Sequence, residues 1–541
     1  MSASLQRPPF GARQLGMFAL VQVAVMLLAI SNESLWIDEF WTAHFAAMPS
    51  FKAFYELLIV PSGSQTPLHF FHFYLWGLLH PSGEFFFRLA NLPLFVAGQL
   101  AVFWALRDYP RRFSYGLLAL SALHPMVWQY ANEARPYIMM FAGAQMILAY
   151  LLRLHAPNTE GRRVESLFLL GFVFGGILLF GASMLGMFWV FAACVYVLLR
   201  HFRQSTWPEL LQGPNPLLLG FFLMAMALLT AFYLNSLLQG AGASRLSSST
   251  PSTVAFAIYE VLGLSGIGPS RLELRDSGQA ALAPYAVGLV AAGGILCLML
   301  IAGLKEARQR IGAPELALMV AFGLFPVIVV LFSGFAMHWR VLGRHLMAEL
   351  PLLNLVLALG LVRLLHTDGR RGQRVRGLLA ISCLLFLLCS SLSQRFAPRH
   401  RKDDYRAAAA VAQQAFTQGQ RVWWAAGVIG ARYYGLPGEF DVMSELIVAE
   451  KPEVCRDSPG VVQIANASTR CLSTLQAPEV VILSKPETFD TKGDILGYLK
   501  SHRFAVVQSL PAFTVWRRPA PDAPAPECAP ELRPCRPPSI R

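Results

Sequence analysis

What limits this chain most is a succession of apolar runs of about 17–22 residues, the length of helix that crosses a bilayer. Runs at residues 15–31, 88–106, 113–128, 138–154, 167–181, 184–199, 217–238, 284–304, 316–332, 346–364 and 378–392 predict about eleven transmembrane helices. Basic residues gather between alternate runs: Arg107, Arg111 and Arg112; Arg153, Arg162 and Arg163; Arg200 and Arg203; Lys305, Arg308 and Arg310; Arg363, Arg370, Arg371, Arg374 and Arg376. The positive-inside bias makes these loops cytoplasmic, with the N-terminus inside and everything after residue 393 outside. Only 14% of residues are charged and 55% are hydrophobic, which excludes a soluble protein of this size. The net charge of +13 resides in the short basic loops, so nucleic acid is not an expected partner. Asn32, Glu33 and Ser34 follow the first run where a cleaved signal would show a small-x-small site, so that run reads as a retained span.

The chain between the spans is uneven. Residues 40–61 mix aromatic and apolar side chains with Lys52 and Glu56, the pattern of a helix lying along a membrane surface. The run at 67–80 is too short to cross and reads as re-entrant or interfacial. The outer loop 239–283 has a Ser-rich start and a second interfacial helix at 254–264. From residue 394 the composition changes. A helix opens at Asp403-Asp404-Tyr405, and buried strands are expected at 422–425, 461–464 and 480–483. Helical pieces at 429–434 and 495–501 lie between them, with a last strand region at 504–515, so the sheet should be mainly parallel. The division expected is a membrane domain at 1–393, a soluble α/β domain at 394–518 and a Pro-rich disordered tail at 519–541. Cys455, Cys471, Cys528 and Cys535 lie in the part placed outside the cytoplasm, where the pairings 455–471 and 528–535 are expected. No C-x-x-C pair points to zinc. Acidic residues at the outer face suit a divalent cation, but no ligand cluster demands one.

Four constellations stand out on the outer side. Asp38 and Glu39 are adjacent carboxylates directly after the first span; two like charges suit a general base near neutral pH, and an acidic pair facing water explains them equally well. Thr66-Pro67-Leu68-His69 reads as a helix start, and Glu84 and Arg88 lie one helical turn apart. Glu133-Ala134-Arg135-Pro136-Tyr137 places an Arg at the outer surface, either a phosphate fork or a headgroup anchor. Arg340 and Arg344, with His338 and His345, break the positive-inside bias, which points to an anionic partner, a substrate phosphate or a lipid.

The order of these strings carries a resemblance. W-x-D-E at 36–39, T-P-L-H at 66–69, E-x-x-x-R-L at 84–89, E-A-R-P-Y at 133–137, G-R-H-L-x-x-x-L-P at 343–351 and the D-Y-R-A-A-A start at Asp404 resemble the bacterial protein mannosyltransferase-like family of GT-C glycosyltransferases, with its lipid A aminoarabinose transferase relatives. The chain departs from many of these in Thr66, where they have Pro, and in His345, where they have Tyr. The resemblance implies a GT-C-like membrane domain with periplasmic interfacial helices in a bacterial inner membrane, and a periplasmic C-terminal domain. It implies transfer of a sugar from a polyprenyl-phosphate donor to a lipid, glycan or protein acceptor, with inversion. By the same analogy Asp38 is the base, Glu39 shapes the acceptor site, and Arg135, Arg344 and Arg340 hold the donor phosphate. Trp36, His69, Glu84, Glu133, Tyr137, His338 and His345 are the expected substrate-binding residues. The competing classes are a transporter or flippase of a lipid-linked sugar and a non-catalytic envelope scaffold. No internal repeat supports the transporter, and the spans carry almost no charge.

Overall fold

The structure, a computed structural model, describes residues 12–60, 66–80, 83–156, 166–239, 248–365, 370–440, 457 and 459–518. The chain divides into two compact units: Met1–Glu33 with Trp41–Arg401, and Ser34–Phe40 with Lys402–Arg541.

The first unit is helical. Eight helices among the described residues are long and apolar enough to cross a membrane: Gly83–Asp108, Tyr137–Leu154, Gly186–Arg203, Asn215–Leu238, Gly278–Ile311, Ala313–Ala336, Gly343–Leu365 and Arg376–Phe396. The eleven expected from the sequence are not confirmed by this count. Arg13–Ala29 and Ser166–Ala182 are apolar but shorter. The run at 113–128 breaks into the helices Arg111–Leu123 and Pro125–Ala131. Pro125 has no amide hydrogen and forces the residue before it out of helical geometry, so His124 sits at φ −68, ψ 127. The His124 ring then accepts from Met126 N at 3.2 Å and caps the second piece.

Two helix pairs meet through small residues. A Cβ on Gly143 would lie 2.6 Å from Gly175 O, and one on Gly175 would lie 2.6 Å from Gly143 O. A Cβ on Gly303 would lie 2.0 Å from Val356 O, and one on Gly360 would lie 2.3 Å from Met299 O. Backbones in contact at this range replace the hydrophobic drive that lipid does not supply. The loop residues read as cytoplasmic pair among themselves. Arg153 meets Asp108, Arg200 meets Glu315 at 3.1 Å, and Glu306 takes both Arg310 (2.8 Å) and Arg363 (3.4 Å).

The segments between spans form short helices. Phe51–Leu58 is capped by Ser50 and leaves Phe51 and Tyr55 exposed. Pro67–Gly77 has eleven residues and starts at Pro67 as expected. In the loop after residue 239, Thr250 caps the helix Pro251–Val261, and Ser270 caps Arg271–Ser277 through a reciprocal bond with Glu273.

The second unit holds a five-stranded sheet of β1 (Val422–Ala425), β2 (Val462–Gln463), β3 (Val480–Ser484), β4 (Ala505–Leu510) and β5 (Phe513–Arg517), in the order β2-β1-β3-β5-β4. β1 pairs parallel with β2 and β3, whereas β5 pairs antiparallel with β3 and β4. The sheet is therefore mixed rather than mainly parallel. The expected single strand region at 504–515 folds back at Pro511-Ala512, with Ala512 at φ 63. That turn lacks the Asn-Gly or Asp-Gly signature that announces a hairpin in sequence. Trp423 and Trp424 of β1 are both fully buried, on opposite faces. Trp423 packs with Val462, Val481, Ile495 and Leu499, while Trp424 lies against Tyr405 and Phe513. Asp404 caps the helix Tyr405–Thr417, whose alanines give the flat face that covers this second side. Cys471 is disulfide-bonded. Cys455, Cys528, Cys535 and the tail 519–541 lie outside the described residues, as does the Ser-rich stretch 241–247.

Candidate active site

The sequence-derived residues fall into two constellations, one in each unit. In the second unit, Trp36 precedes the helix Ile37–Ala46. The Glu39 amide donates to Trp36 O at 2.8 Å, and Glu39 Oε2 reaches back to Trp36 N at 3.4 Å. This is the Glu half of a capping box, built without the usual Ser or Thr. The Glu39 side chain has 0% exposure and is ion-paired with Lys402, itself 13% exposed, at 3.4 Å. Asp38 beside it is half-buried and sits in the same first turn, where free amides and the helix dipole favour a negative charge. Two carboxylates equivalent in sequence are thus unequal in structure.

The turn is set by the residues around it. The Tyr434 hydroxyl lies 3.1 Å from both Ser34 Oγ and Leu35 N. Phe40 packs edge-on against Tyr405, and a Cβ on Gly430 would lie 2.8 Å from its ring. The half-buried Trp36 ring has the Lys485 ammonium 5.8 Å from its centroid. Lys485 also pairs with Asp403, and directly after β3 it holds a left-handed backbone, φ 37, that a non-glycine residue rarely adopts.

In the first unit, the E-A-R-P-Y loop is bound from two sides. Asn91 donates to the carbonyls of Ala131 (3.1 Å) and Glu133 (2.7 Å). Asn132 accepts from Ser31 N at 2.7 Å and donates to Glu33. Arg88, fully buried, donates to Ser31 O and Glu33 O at 3.1 and 2.8 Å. The E-x-x-x-R-L string therefore holds the end of the first helix. Glu84 is buried on the same short helix, Gly83–Arg88. His69 is buried, 3.1 Å from Thr42 Oγ1, and bonded to the backbone of Ala134. Burial, Arg135 and His72 hold its pKa well below the usual imidazole value, so the ring is neutral beside the loop.

Arg135 and Glu133 are buried, and Tyr137 begins the next long helix. The Arg344 guanidinium lies 5.8 Å from the Tyr137 ring centroid, and Tyr137 packs edge-on against Tyr130. Burial and the nearby charges of Arg344 and Arg271 lower the pKa of Arg340, while Glu260 opposes them. His345 accepts from Leu342 N at 3.0 Å and stacks edge-on with Trp339. His338 is exposed, with a left-handed backbone at φ 53. Arg135, Tyr137, Arg340, Arg344 and His345 are thus brought together, with His69 behind the loop and His338 at the margin.

Two residues of this cluster were not singled out in the sequence. Glu260 is buried and accepts from Arg271 at 2.6 Å and from Gly343 N at 3.0 Å. A Cβ on Gly343 would lie 2.6 Å from Glu260, so Gly343 is required for this approach. Arg271 also donates to the Tyr130 hydroxyl at 2.8 Å. The capping-box spacing of Ser270 and Glu273 would have placed Arg271 at a helix start. Nothing local marks Glu260. Guanidiniums are the side chains suited to a phosphate, and Arg271, Arg340 and Arg344 lie close to one another here. Among the described residues no group of three or more His, Cys, Asp or Glu is arranged to hold a metal ion.

No protein-family model and no curated protein matches the chain. Solved structures do. ArnT from Cupriavidus metallidurans in its apo state aligns with 14% identity over 93% of this chain and 97% of its own, at a TM-score of 0.50. The same protein bound to undecaprenyl phosphate aligns over 96% and 100% at 0.47. The mycobacterial arabinofuranosyltransferase AftD aligns with 15% identity over 95% of this chain but 40% of its own, at 0.38. Over nearly its whole length the chain carries a fold similar to that of ArnT, a membrane glycosyltransferase of the GT-C type.

Proposed function

We propose that this protein moves a sugar from a polyprenyl-phosphate donor to a lipid, glycan or protein acceptor at the outer face of a bacterial inner membrane. The observation that carries the reading is the gathering of Arg271, Arg340 and Arg344 beside the loop that carries Arg135. Forked guanidiniums are suited to a departing phosphate. ArnT, which shares the fold, has a structure with undecaprenyl phosphate bound, a carrier of the class assigned to this chain.

Asp38 is assigned as general base and Glu39 as the group that shapes the acceptor site. Asp38 takes the proton of the acceptor hydroxyl, whose oxygen attacks the anomeric carbon. The bond from that carbon to phosphate breaks, and the carrier phosphate leaves with the electron pair against the arginines. One in-line displacement inverts the anomeric centre. Trp36, His69, Glu84, Glu133, Tyr137, His338 and His345 are assigned to substrate binding. Of these, His69 and Glu133 act through the shape of the loop around Arg135. A divalent cation is compatible with the acidic side chains but has no assigned role.

The test is turnover of labelled polyprenyl-phosphate sugars by purified protein, over a panel of donors and acceptors. Transfer with inversion is expected. Movement of intact donor across the bilayer without transfer would return the transporter reading.

A further inference from the structure

The division of the chain assigns the acidic turn to the C-terminal unit, where Ser34–Phe40 joins residues from Lys402 onward. In an open α/β sheet, ligands bind beyond the carboxyl ends of the parallel strands, where the strand order reverses. Here β1 is flanked by β2 and β3, so the reversal lies at β1 and β3. The residues that follow these two strands meet the chain's own acidic turn. After β1, the helix Val428–Tyr433 brings Gly430 against Phe40, and Tyr434 bonds Ser34 and Leu35. Directly after β3, Lys485 lies over Trp36 in its left-handed conformation.

We propose that the C-terminal domain is the positioning device for the carboxylate pair, and that Lys402 is the positioning residue through which it acts. This rests on the transferase reading and extends it. Glu39 is fully buried, and a buried carboxylate stays ionised only with a countercharge at hand. Lys402, at 3.4 Å, supplies that charge. With Glu39 anionic and bonded back to Trp36 N, the first turn of the helix is fixed and Asp38 is held on it. Other charged or titratable groups around the turn include Asp38 and His44 on its own helix, Asp403, Tyr405 and Arg406 beside Lys402, Lys485 after β3, and Tyr433 and Tyr434 after β1. Asp403 is already matched to Lys485, which leaves Lys402 for Glu39.

The experiment compares Lys402→Met, Lys402→Arg, and Lys402→Met combined with Glu39→Gln, in the full-length protein. In Lys402→Met, turnover at neutral pH should fall on the order of 10²-fold, the cost of misplacing a reacting group by about 1 Å. Its pH–rate profile should gain an ionisation that wild type lacks, because Glu39 now takes up a proton near neutrality. Lys402→Arg should restore the wild-type profile, and the double variant should lose the extra ionisation. Infrared spectroscopy reads the same event without turnover, as a protonated-carboxyl band in Lys402→Met that Glu39→Gln removes. That arm separates the two ideas. No transfer by wild type, with the band present, sinks the transferase reading and keeps the Lys402–Glu39 coupling. Absence of the band, or a Lys402→Met enzyme with wild-type rate and pH profile, overturns the role of Lys402. Gly430→Ala provides a charge-neutral check. Its methyl would press on Phe40 and Tyr405, so a drop in rate without any new ionisation is expected, and an unchanged rate would count against the domain as positioning device.

Discussion

The acidic turn of the second unit and the arginine cluster of the first handle charge in opposite ways. In the turn, Glu39 is buried and paired with Lys402, Asp403 is paired with Lys485, and Asp38 is half-buried in the helix's first turn. In the cluster, Glu260 engages Arg271 and the Gly343 amide, while Arg344 and Arg271 both lie near Arg340. In the function we propose, the turn holds one carboxylate still and the cluster attracts an anion. Charge that a fold neutralises is structural, and charge that it concentrates awaits a ligand.

The largest effect expected is on the turn. Asp38→Asn should cut turnover by about 10²–10⁴, the usual contribution of a general base, without unfolding the protein. Glu39→Gln should behave differently, lowering the melting temperature as well as the rate, because it removes the buried ion pair with Lys402. Equal, purely kinetic losses in both would erase the distinction between the two carboxylates. In the cluster, Arg344→Ala should weaken donor binding and turnover together, by about 1.5–3 kcal/mol for a charged hydrogen bond, since phosphate is met in both ground and transition states. A loss confined to the rate would move Arg344 out of ground-state phosphate binding. Glu260→Gln should be milder, about tenfold in donor affinity or less, because it loosens Arg271 and the Gly343 turn without removing a phosphate ligand. Donor titration of that variant checks it, and a loss matching that of Arg344→Ala would give Glu260 a larger share.

The smallest effect is on stability. His69 has a folded-state pKa below its unfolded value, so the unfolded chain takes up the proton first as pH falls. The stability it contributes is present above pH 6.5, its unfolded value, and is lost as pH drops towards the folded value. The melting temperature should therefore fall between about pH 7.5 and about pH 5, and fall less in His69→Gln. An identical slope in both proteins would show that the imidazole is not neutral beside Arg135.

Sequence patterns reached the membrane class, the strands β1 and β3 and the strings at the site, because length, hydropathy and residue identity are local. They treated the run at 113–128 as continuous, whereas Pro125 divides it into two helices. They placed Glu84 and Arg88 one helical turn apart but gave no sign that Arg88 also holds the carbonyls of Ser31 and Glu33. Glu260, Arg271 and Lys402 escaped notice for one reason. Each acquires its meaning from a partner distant in sequence or from a loop with no periodicity, and only folding supplies those partners. The final hairpin was missed because Pro511-Ala512 makes a tight turn without an Asn-Gly or Asp-Gly pair.

The central claim is that the arginine cluster binds the carrier phosphate while the acidic turn does chemistry. Equilibrium binding of undecaprenyl phosphate to purified full-length protein in lipid nanodiscs tests it most directly, with wild type, Asp38→Asn and Arg344→Ala side by side. The account predicts that Asp38→Asn binds as wild type does and that Arg344→Ala binds about 10–10² times more weakly. Unchanged affinity in Arg344→Ala, or a loss in Asp38→Asn as large as that in Arg344→Ala, would contradict it.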